Sequence, residues 1–216
     1  MKKVALFDLD GVVFDTEPQY TVFWGMICRE YHPEKPGLEN SIKGQTLVQI
    51  YDKYFADLKD EQAVITRRLN EFEQQMTFEY VAGFEKFVSL LRNDGVKTAV
   101  VTSSNRPKME NVYRQRPEFR DYFDAILTSE DFSESKPSPD CYLKGALRFH
   151  ASPKECVVFE DSFNGLKSGR AAKMAVVGLA TTNASEQITP FSDIVIPDYQ
   201  ELDWGELNNK LVSIGE

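Results

Sequence analysis

The chain has 216 residues, and its 25 lysines and arginines against 34 aspartates and glutamates give a formal net charge of −9. Its 42% hydrophobic and 12% aromatic content suffices for a buried core and excludes a disordered chain. The acidic balance excludes a basic nucleic-acid footprint, and no apolar run approaches the ~20 residues of a membrane helix. We therefore expect neither a nucleic-acid partner nor a membrane partner.

Short apolar runs typical of buried strands recur along the chain, with helical patterns between most of them. The predicted strands are 4–7, 96–102, 125–127, 156–160, 174–179 and 193–196. The predicted helices are 83–94, 107–116, 139–150 and 162–173, with a closing helix after residue 198. This alternation predicts an α/β fold, a Rossmann-like parallel sheet with helices on both faces.

One long segment interrupts the alternation. No convincing strand lies between the first strand and the helix near Gly83, although a crossover needs only ~10–12 residues. Apolar residues in this segment keep helical spacing, as at Leu47, Ile50 and Tyr54. We therefore predict two domains: an α/β catalytic core formed by residues 1–16 and 81–216, and a helical cap formed by residues 17–80.

Two aspartates follow the first predicted strand, in the run Asp8-Leu9-Asp10-Gly11. Strand side chains alternate with a period of two, so Asp8 and Asp10 can face the same side. Repulsion between close carboxylates raises the proton affinity of one, while a divalent cation can hold the other ionised. This arrangement suits a nucleophile beside a general acid–base. An acidic strand end that caps the next helix is the alternative interpretation of this motif alone.

Groups suited to phosphate follow two further points in the chain. Thr102 and Ser103 stand at a strand-to-helix turn, where hydroxyl and free backbone N–H groups can bind phosphate oxygens. Lys136, followed by Pro137, is fixed at the start of a turn and can supply a point charge to a phosphate. Serine and threonine are also ordinary helix caps, and a loop lysine is usually solvated, so each motif alone has a structural interpretation.

Glu160 and Asp161 follow the apolar strand predicted at 156–160. Adjacent carboxylates at the end of a buried strand are costly unless they share a cation. Helix capping by Asp161 or Ser162 is the alternative. All four motifs fall at the carboxyl side of predicted strands or beside them, where open α/β sheets build their sites.

The order of these motifs resembles that of the haloacid dehalogenase superfamily. The chain contains D-L-D-G-V-V-F-D-T, then T-S-S after an apolar run, then S-K-P-S-P-D, then E-D-S-x-x-G after another apolar run. It is most similar to the branch with a helical cap after the first motif, which includes β-phosphoglucomutase and many small phosphatases. The resemblance covers essentially the whole chain; Lys173 departs from it, because the family usually has glycine there.

The resemblance implies roles for the core residues. Asp8 matches the nucleophile that forms an aspartyl-phosphate, and Asp10 matches the acid–base that protonates the leaving oxygen and then activates water. Thr102 and Lys136 match the groups that hold the transferring phosphoryl group, and Ser103 is a further phosphate-binding candidate. Dehalogenating members lack the second aspartate, so the presence of Asp10 favours phosphoryl transfer.

The resemblance also implies a magnesium site. Asp8, the Asp10 carbonyl and Asp161 match the Mg²⁺ ligands, and Glu160 is expected to bind the ion directly or through water. Oxygen ligands with retained water are what Mg²⁺ prefers. Together with Lys136, the ion would offset most of the carboxylate charge, so the acidity of the chain does not speak against a single phosphate as substrate.

The predicted cap departs from the mutase pattern. Lys43 and Gly44 match the mutase cap loop, and with Tyr20 they are the candidate cap contacts to substrate. Leu47 stands where the mutase has an arginine that grips a second phosphate, and Tyr20 stands where it has a histidine. Without a bidentate arginine, one of the two phosphate sites that a mutase needs is weakened. Thr16 belongs to the expected hinge into the cap.

We therefore expect a Mg²⁺-dependent phosphatase of a small phosphorylated metabolite, with a sugar phosphate as the expected substrate. A β-phosphoglucomutase-type phosphohexomutase is the alternative. A phospho-accepting signalling receiver is more distant, because its acidic pair precedes the phosphorylated aspartate and it has no cap of this size. A non-catalytic binding member is disfavoured by the intact motifs.

Compartment and assembly follow from composition and mechanism. Cys28, Cys141 and Cys156 are an odd, scattered set, which predicts reduced thiols in a cytoplasmic protein. A monomer is the simplest assembly for a capped enzyme that must open and close.

Overall fold

The computed structural model describes residues 1–43 and 45–214. Its strands are β1 (Val4–Phe7), β2 (Lys97–Val101), β3 (Ala125–Leu127), β4 (Cys156–Glu160), β5 (Ala175–Leu179) and β6 (Ile194–Ile196). They form a six-stranded sheet in the order β3-β2-β1-β4-β5-β6, in which every neighbouring pair is parallel. Each strand lies within a segment predicted as a strand, and the predicted α/β fold is confirmed.

The helices alternate with these strands, except in one insertion. They are α1 (Glu17–Tyr31), α2 (Glu39–Ile42), α3 (Leu47–Tyr54), α4 (Lys59–Gln75), α5 (Phe84–Asn93), α6 (Arg106–Gln115), α7 (Asp140–Arg148), α8 (Phe163–Ala171), α9 (Ser185–Ile188) and α10 (Trp204–Ile214). Helices α5 to α8 correspond to the four predicted core helices, and α10 is the predicted closing helix. None of the described helices is both long and apolar enough to cross a membrane.

The side chains of β1 alternate between two hydrophobic clusters on opposite faces of the sheet. Ala5 and Phe7 belong to the cluster that includes residues of α5, α6 and α10, and Phe7 stacks on Phe159 with ring centroids 4.6 Å apart. Val4 and Leu6 belong to the cluster that includes residues of α7 and α8. Because helices cover both faces, β1 is a continuous apolar run in the sequence.

The helices α1–α4, which we call the inserted helices, lie between β1 and α5 in the sequence. They have a separate hydrophobic cluster, with Trp24 from α1, Ile42 from α2, Ile50 from α3 and Leu69 from α4 among its buried members. The predicted absence of strands in this segment reflects this helical packing. The division into a core and a cap at residues 17–80 stays a prediction.

Lys173 adopts a left-handed backbone conformation with φ 60° just after α8. Its backbone N–H bonds the Arg170 carbonyl at 2.9 Å, and the Met174 N–H bonds the Gly169 carbonyl at 3.2 Å, which closes the helix end. Glycine suits this position because it has no Cβ, whereas another residue type costs about 1 kcal/mol. The departure at Lys173 therefore concerns backbone conformation.

The cysteines Cys28, Cys141 and Cys156 are all buried and form no disulfide. They pack as small apolar side chains, as their scattered positions predict. The cytoplasmic compartment stays a prediction.

Candidate active site

Three strand ends meet at one edge of the sheet. Because β1 lies between β2 and β4, the residues that follow these strands come together: Asp8, Thr102 and Asp161. The chain passes from one side of β1 to the other between β3 and β4, and open α/β sheets form their clefts at such a switch point. The predicted motifs thus lie where the topology leaves a cleft.

Lys136 joins two of these strand ends. Its Nζ lies 2.7 Å from Asp8 Oδ1 and 2.7 Å from Glu160 Oε1, and it donates to the Val101 carbonyl at 3.3 Å. The lysine side chain is only 6% exposed and that of Glu160 is fully buried. Burial opposes the charged lysine, but the two carboxylates outweigh it and hold the Lys136 pKa well above its usual range. Lys136 is therefore not a solvated loop lysine.

Glu160 accepts hydrogen bonds on both oxygens. Besides Lys136, its Oε1 receives the Tyr142 hydroxyl at 2.9 Å. Its Oε2 receives the Asp161 N–H, the Ser162 N–H and the Ser162 hydroxyl, each at 3.0 Å. A Cβ on Gly165 would lie 1.6 Å from Glu160 Oε1. The glycine of the E-D-S-x-x-G motif is thus required by the space that Glu160 occupies.

Asp161 faces the same site, and Ser162 caps the helix that follows. The Ser162 hydroxyl accepts from the Gly165 N–H at 3.1 Å, whereas the Asp161 carboxylate accepts from the Thr182 hydroxyl. The capping interpretation of Asp161 is therefore wrong, and its carboxylate remains directed toward the other acidic groups. We call Asp8, Lys136, Glu160 and Asp161 the floor of the site.

The three floor carboxylates fit a divalent cation. Asp8, Glu160 and Asp161 each offer an oxygen atom, and these atoms lie within 4.8 Å of one another. Burial and the neighbouring carboxylates raise the pKa of Asp161 well above its usual range. Burial also raises the pKa of Asp8 to about 7, against the opposing effect of Lys136. One lysine leaves an excess of negative charge, which a divalent cation would offset.

Asp10 is held by three donors. The Thr16 hydroxyl donates to Oδ1 at 2.6 Å, while the Ser104 hydroxyl at 3.2 Å and Lys108 Nζ at 2.5 Å donate to Oδ2. Sequence reasoning assigned Thr16 only to the hinge and missed Ser104 and Lys108. Ser104 could have been found in the T-S-S motif, but Lys108 has no distinguishing pattern among helix lysines.

Thr102 and Ser103 are not helix caps. The cap of α6 is Asn105, whose side chain accepts from the Lys108 N–H at 3.0 Å. Thr102 is buried and its hydroxyl accepts from the Ser104 N–H at 3.0 Å, while Ser103 is exposed. Both line the cavity above the floor, as the phosphate-binding prediction requires.

This cavity of about 530 Å³ lies between the sheet edge and the inserted helices. The predicted contacts Tyr20 and Lys43 line it, whereas Gly44 lies outside the described residues. Four carboxylates that sequence reasoning missed line it as well: Glu17, Glu39, Glu73 and Glu134. The size suits a small metabolite.

The inserted helices also contact the loop that carries Lys136. The Gln49 amide on α3 donates to the Lys136 carbonyl at 3.3 Å and accepts from the Asn164 amide at 3.0 Å. This glutamine therefore connects the loop that carries Lys136 with the helix that follows Glu160.

The comparison with known families agrees with this geometry. Residues 2–173 match the model of the haloacid dehalogenase-like hydrolases. The chain belongs to this family. The predicted family is confirmed, and with it the expectation of a hydrolase-class enzyme.

Relatives of this haloacid dehalogenase-like hydrolase include named phosphatases. It is 30% identical to glycerol-1-phosphate phosphohydrolase 1 of Saccharomyces cerevisiae, over 94% of this chain and 85% of the relative. It is 27% identical to the bifunctional riboflavin kinase/FMN phosphatase of Arabidopsis thaliana over 95% of this chain, but spans only 59% of that longer protein. The crystal structure of β-phosphoglucomutase from Clostridium difficile shares its fold with a TM-score of 0.80 at 19% identity, covering 99% of each chain.

Proposed function

We propose that this enzyme is a Mg²⁺-dependent phosphatase that hydrolyses a small phosphorylated metabolite through an aspartyl-phosphate intermediate. A sugar phosphate is the substrate that we expect. The observation that carries the proposal is the Asp8 carboxylate, held 2.7 Å from Lys136 in the cavity that Asp10 also lines. The phosphatase names of the relatives support it.

In the first step Asp8 is the nucleophile. Its carboxylate oxygen forms a bond to phosphorus while the bond between phosphorus and the leaving oxygen breaks. Lys136 and the Thr102 hydroxyl bind the phosphoryl oxygens, with Ser103 at the exposed side. Asp10 gives its proton to the leaving oxygen, so that the product leaves as an alcohol.

In the second step water attacks the phosphorus of the aspartyl-phosphate. Asp10, now ionised, takes a proton from this water, and the bond between phosphorus and the Asp8 oxygen breaks. This step regenerates the Asp8 carboxylate and releases inorganic phosphate. The three donors on Asp10 from Thr16, Ser104 and Lys108 hold its carboxylate in one orientation for both steps.

We assign the magnesium ligands to Asp8, Asp161 and the Asp10 carbonyl. When bound, the ion supplies positive charge that keeps Asp8 ionised and offsets phosphate charge. Both oxygens of Glu160 already accept hydrogen bonds from protein donors, so we assign its main role to holding Lys136 and the Asp161 backbone.

The proposal is tested with p-nitrophenyl phosphate as a general substrate. The purified protein is expected to release phosphate with Mg²⁺, to lose this activity with EDTA, and to regain it when Mg²⁺ is added back. Asp8→Asn is expected to be inactive, and Asp94→Asn, which changes an exposed aspartate outside the cavity, is the matched control. Equal rates for Asp8→Asn and the parent would contradict the nucleophile assignment.

The mutase is the second candidate, because Lys43 lines the cavity and the fold matches a β-phosphoglucomutase. Arg68 on α4 pairs with Glu30 at 2.8 Å and Arg67 is exposed, so neither replaces the missing phosphate-binding arginine. With β-glucose 1-phosphate and a trace of the bisphosphate, a mutase forms glucose 6-phosphate faster than free phosphate. We expect this enzyme to release free phosphate faster than it forms glucose 6-phosphate.

The assembly and the cellular location are part of the proposal. We expect a monomer, which size-exclusion chromatography with light scattering checks, and a cytoplasmic enzyme. The match to a hydrolase family leaves the signalling-receiver alternative without support.

A further inference from the structure

We infer that Glu17 and Glu73 are specificity-determining residues: they select an uncharged leaving group that bears hydroxyls and reject a second phosphate. This inference rests on the proposed phosphatase function and concerns the part of the substrate that differs between phosphate esters. We call Glu17, Tyr20 and Glu73, all on the inserted helices, the wall of the cavity.

The wall belongs to the cavity that contains Asp8. Glu17 is the first residue of α1 and Glu73 lies near the end of α4, and both line this cavity with Asp10. The Tyr20 hydroxyl donates to Glu73 Oε1 at 2.8 Å. In the bound ester, before transfer to Asp8, the leaving group must extend past Asp10, which gives it the proton, and therefore toward this wall.

The wall carboxylates keep free capacity to accept hydrogen bonds. Glu73 receives the Tyr20 hydroxyl on one oxygen only. Within residues 1–43 and 45–214, no group donates a hydrogen bond to the Glu17 carboxylate. Half-buried carboxylates without full partners are costly, and a ligand with hydroxyl groups would satisfy them.

The charge around the wall disfavours a second phosphate. Two lysines lie near the wall: Lys43 lines the cavity, and Lys108, with Nζ 4.9 Å from the Tyr20 ring centre, is already paired with Asp10 at 2.5 Å. A second phosphate would bring its negative charge beside Glu17, Glu73 and Asp10, three carboxyl groups against these two lysines, and like charges repel more strongly in a partly buried site than in water.

The state of Glu17 favours a hydroxyl over an ammonium group. Burial and the charge of Asp10 raise the pKa of Glu17 to about 7, against the opposing effects of Lys43 and Lys108. Near neutral pH the Glu17 carboxyl group therefore exists in protonated and ionised forms. The protonated form can donate a hydrogen bond to a ligand hydroxyl, and either form can accept one from it. The two lysines also repel a cationic ligand.

Part of the remaining surface of the cavity is apolar. Trp24, Ile42, Leu47 and Leu69 line it alongside the carboxylates. A polyhydroxylated carbon skeleton presents C–H groups to such a surface and hydroxyls to the carboxylates, which is the usual division within small-molecule sites. A sugar or polyol monophosphate fits both parts.

Three substrates test the inference: fructose 6-phosphate, fructose 1,6-bisphosphate and p-nitrophenyl phosphate, whose leaving group has no free hydroxyl besides the ester oxygen. The parent is expected to prefer the sugar monophosphate over the other two in kcat/KM. Glu17→Leu should lower kcat/KM for fructose 6-phosphate about tenfold, with a much smaller change for p-nitrophenyl phosphate. Glu17→Gln and Glu73→Gln should each raise the relative kcat/KM of the bisphosphate, by about tenfold.

Glu71→Gln is the matched control, because it removes the same charge from an exposed position on α4 that does not line the cavity. Its substrate ratios should equal those of the parent. If the parent hydrolyses p-nitrophenyl phosphate and Asp8→Asn does not, the proposed function stands. In that case two results would overturn this inference alone. One is a set of kcat/KM ratios within twofold of the parent in Glu17→Leu, Glu17→Gln and Glu73→Gln, and the other is a parent that prefers the bisphosphate.

Discussion

The floor of the cavity contains buried acidic groups and the wall half-buried ones, and the protein satisfies the two sets differently. In the floor, Glu160 accepts from five donors and Lys136 bridges two carboxylates at 2.7 Å. In the wall, Glu73 receives one hydroxyl and Glu17 receives no donor from the described residues. Hydrogen bonds and ion pairs within the protein fix the floor. The wall carboxylates still have oxygen atoms that can accept hydrogen bonds from a ligand.

This difference matches the two parts of a phosphate ester. The phosphoryl group is common to all substrates of a phosphatase, so groups that bind it gain from being fixed in advance. The leaving group varies, and acceptors without protein partners can discriminate among leaving groups. Four experiments challenge this division.

The largest expected effect comes from removing a floor charge. Asp161→Asn should lower kcat by about 1,000-fold or more, because a proposed metal ligand is lost. Isothermal titration with Mg²⁺ should show that binding is lost as well. Asp121→Asn, an exposed aspartate outside the cavity, is the control. Unchanged Mg²⁺ binding in Asp161→Asn would remove Asp161 from the ligand set.

The rigidity of the floor is tested by Gly165→Ala. The added Cβ would displace Glu160 from Lys136, and breaking a buried ion pair costs about 3–5 kcal/mol in the free energy of unfolding. Gly25→Ala is the control, since its Cβ would meet the flexible end of Arg29 at 3.3 Å and Glu39 Cγ at an ordinary contact distance of 3.9 Å. Urea unfolding measures both, and a loss below about 1 kcal/mol for Gly165→Ala would show that the floor adapts.

The wall should make stability depend on pH. Burial raises the folded-state pKa of Glu17 to about 7, above the 4.5 of a free glutamate. The folded protein therefore binds the proton more tightly, and stability falls as pH rises from 4.5 to 7. One group contributes at most about 1.4 kcal/mol per pH unit, and less where solvent reaches it.

Glu17→Gln should remove this contribution, so that its unfolding free energy falls less steeply over the same pH range than that of the parent. Glu71→Gln should keep the slope of the parent. Parallel slopes for Glu17→Gln and the parent would show that Glu17 titrates normally in the fold.

The smallest effect is expected at the link between the inserted helices and the floor. Gln49→Ala removes the hydrogen bonds to the Lys136 carbonyl and to Asn164, worth about 1 kcal/mol. We expect KM to rise about fivefold with kcat unchanged, because closure over the substrate is weakened and the chemistry is not. A fall in kcat at constant KM would instead place Gln49 in the alignment of the floor.

The sequence predicted the floor well because each member belongs to a local pattern. A short apolar run followed by Asp8, or by Asp161, marks the end of a buried parallel strand, and parallel strands in one sheet align their ends at one edge. The bonds within the floor were not predictable, however. Neither the bridging position of Lys136 nor the Tyr142 hydroxyl on Glu160 follows from any spacing.

The wall could not be predicted in the same way. Glu17, Glu73 and Lys108 lie on helices, where each could equally face solvent, and nothing in their neighbours marks them. Their place in the cavity depends on how the inserted helices pack above the sheet, which long-range contacts decide. Tyr20 was found only through its match to a family position.

By itself, the sequence determined the α/β fold, the strand ends and which candidate site residues follow them. Strand periodicity and parallel pairing are local rules that carry such residues to one edge. The tertiary structure alone decided which helix residues complete the cavity, how Asp10 is held by Lys108, and which carboxylates remain open to a ligand. Those features depend on the packing of elements distant in the sequence, for which no local pattern exists.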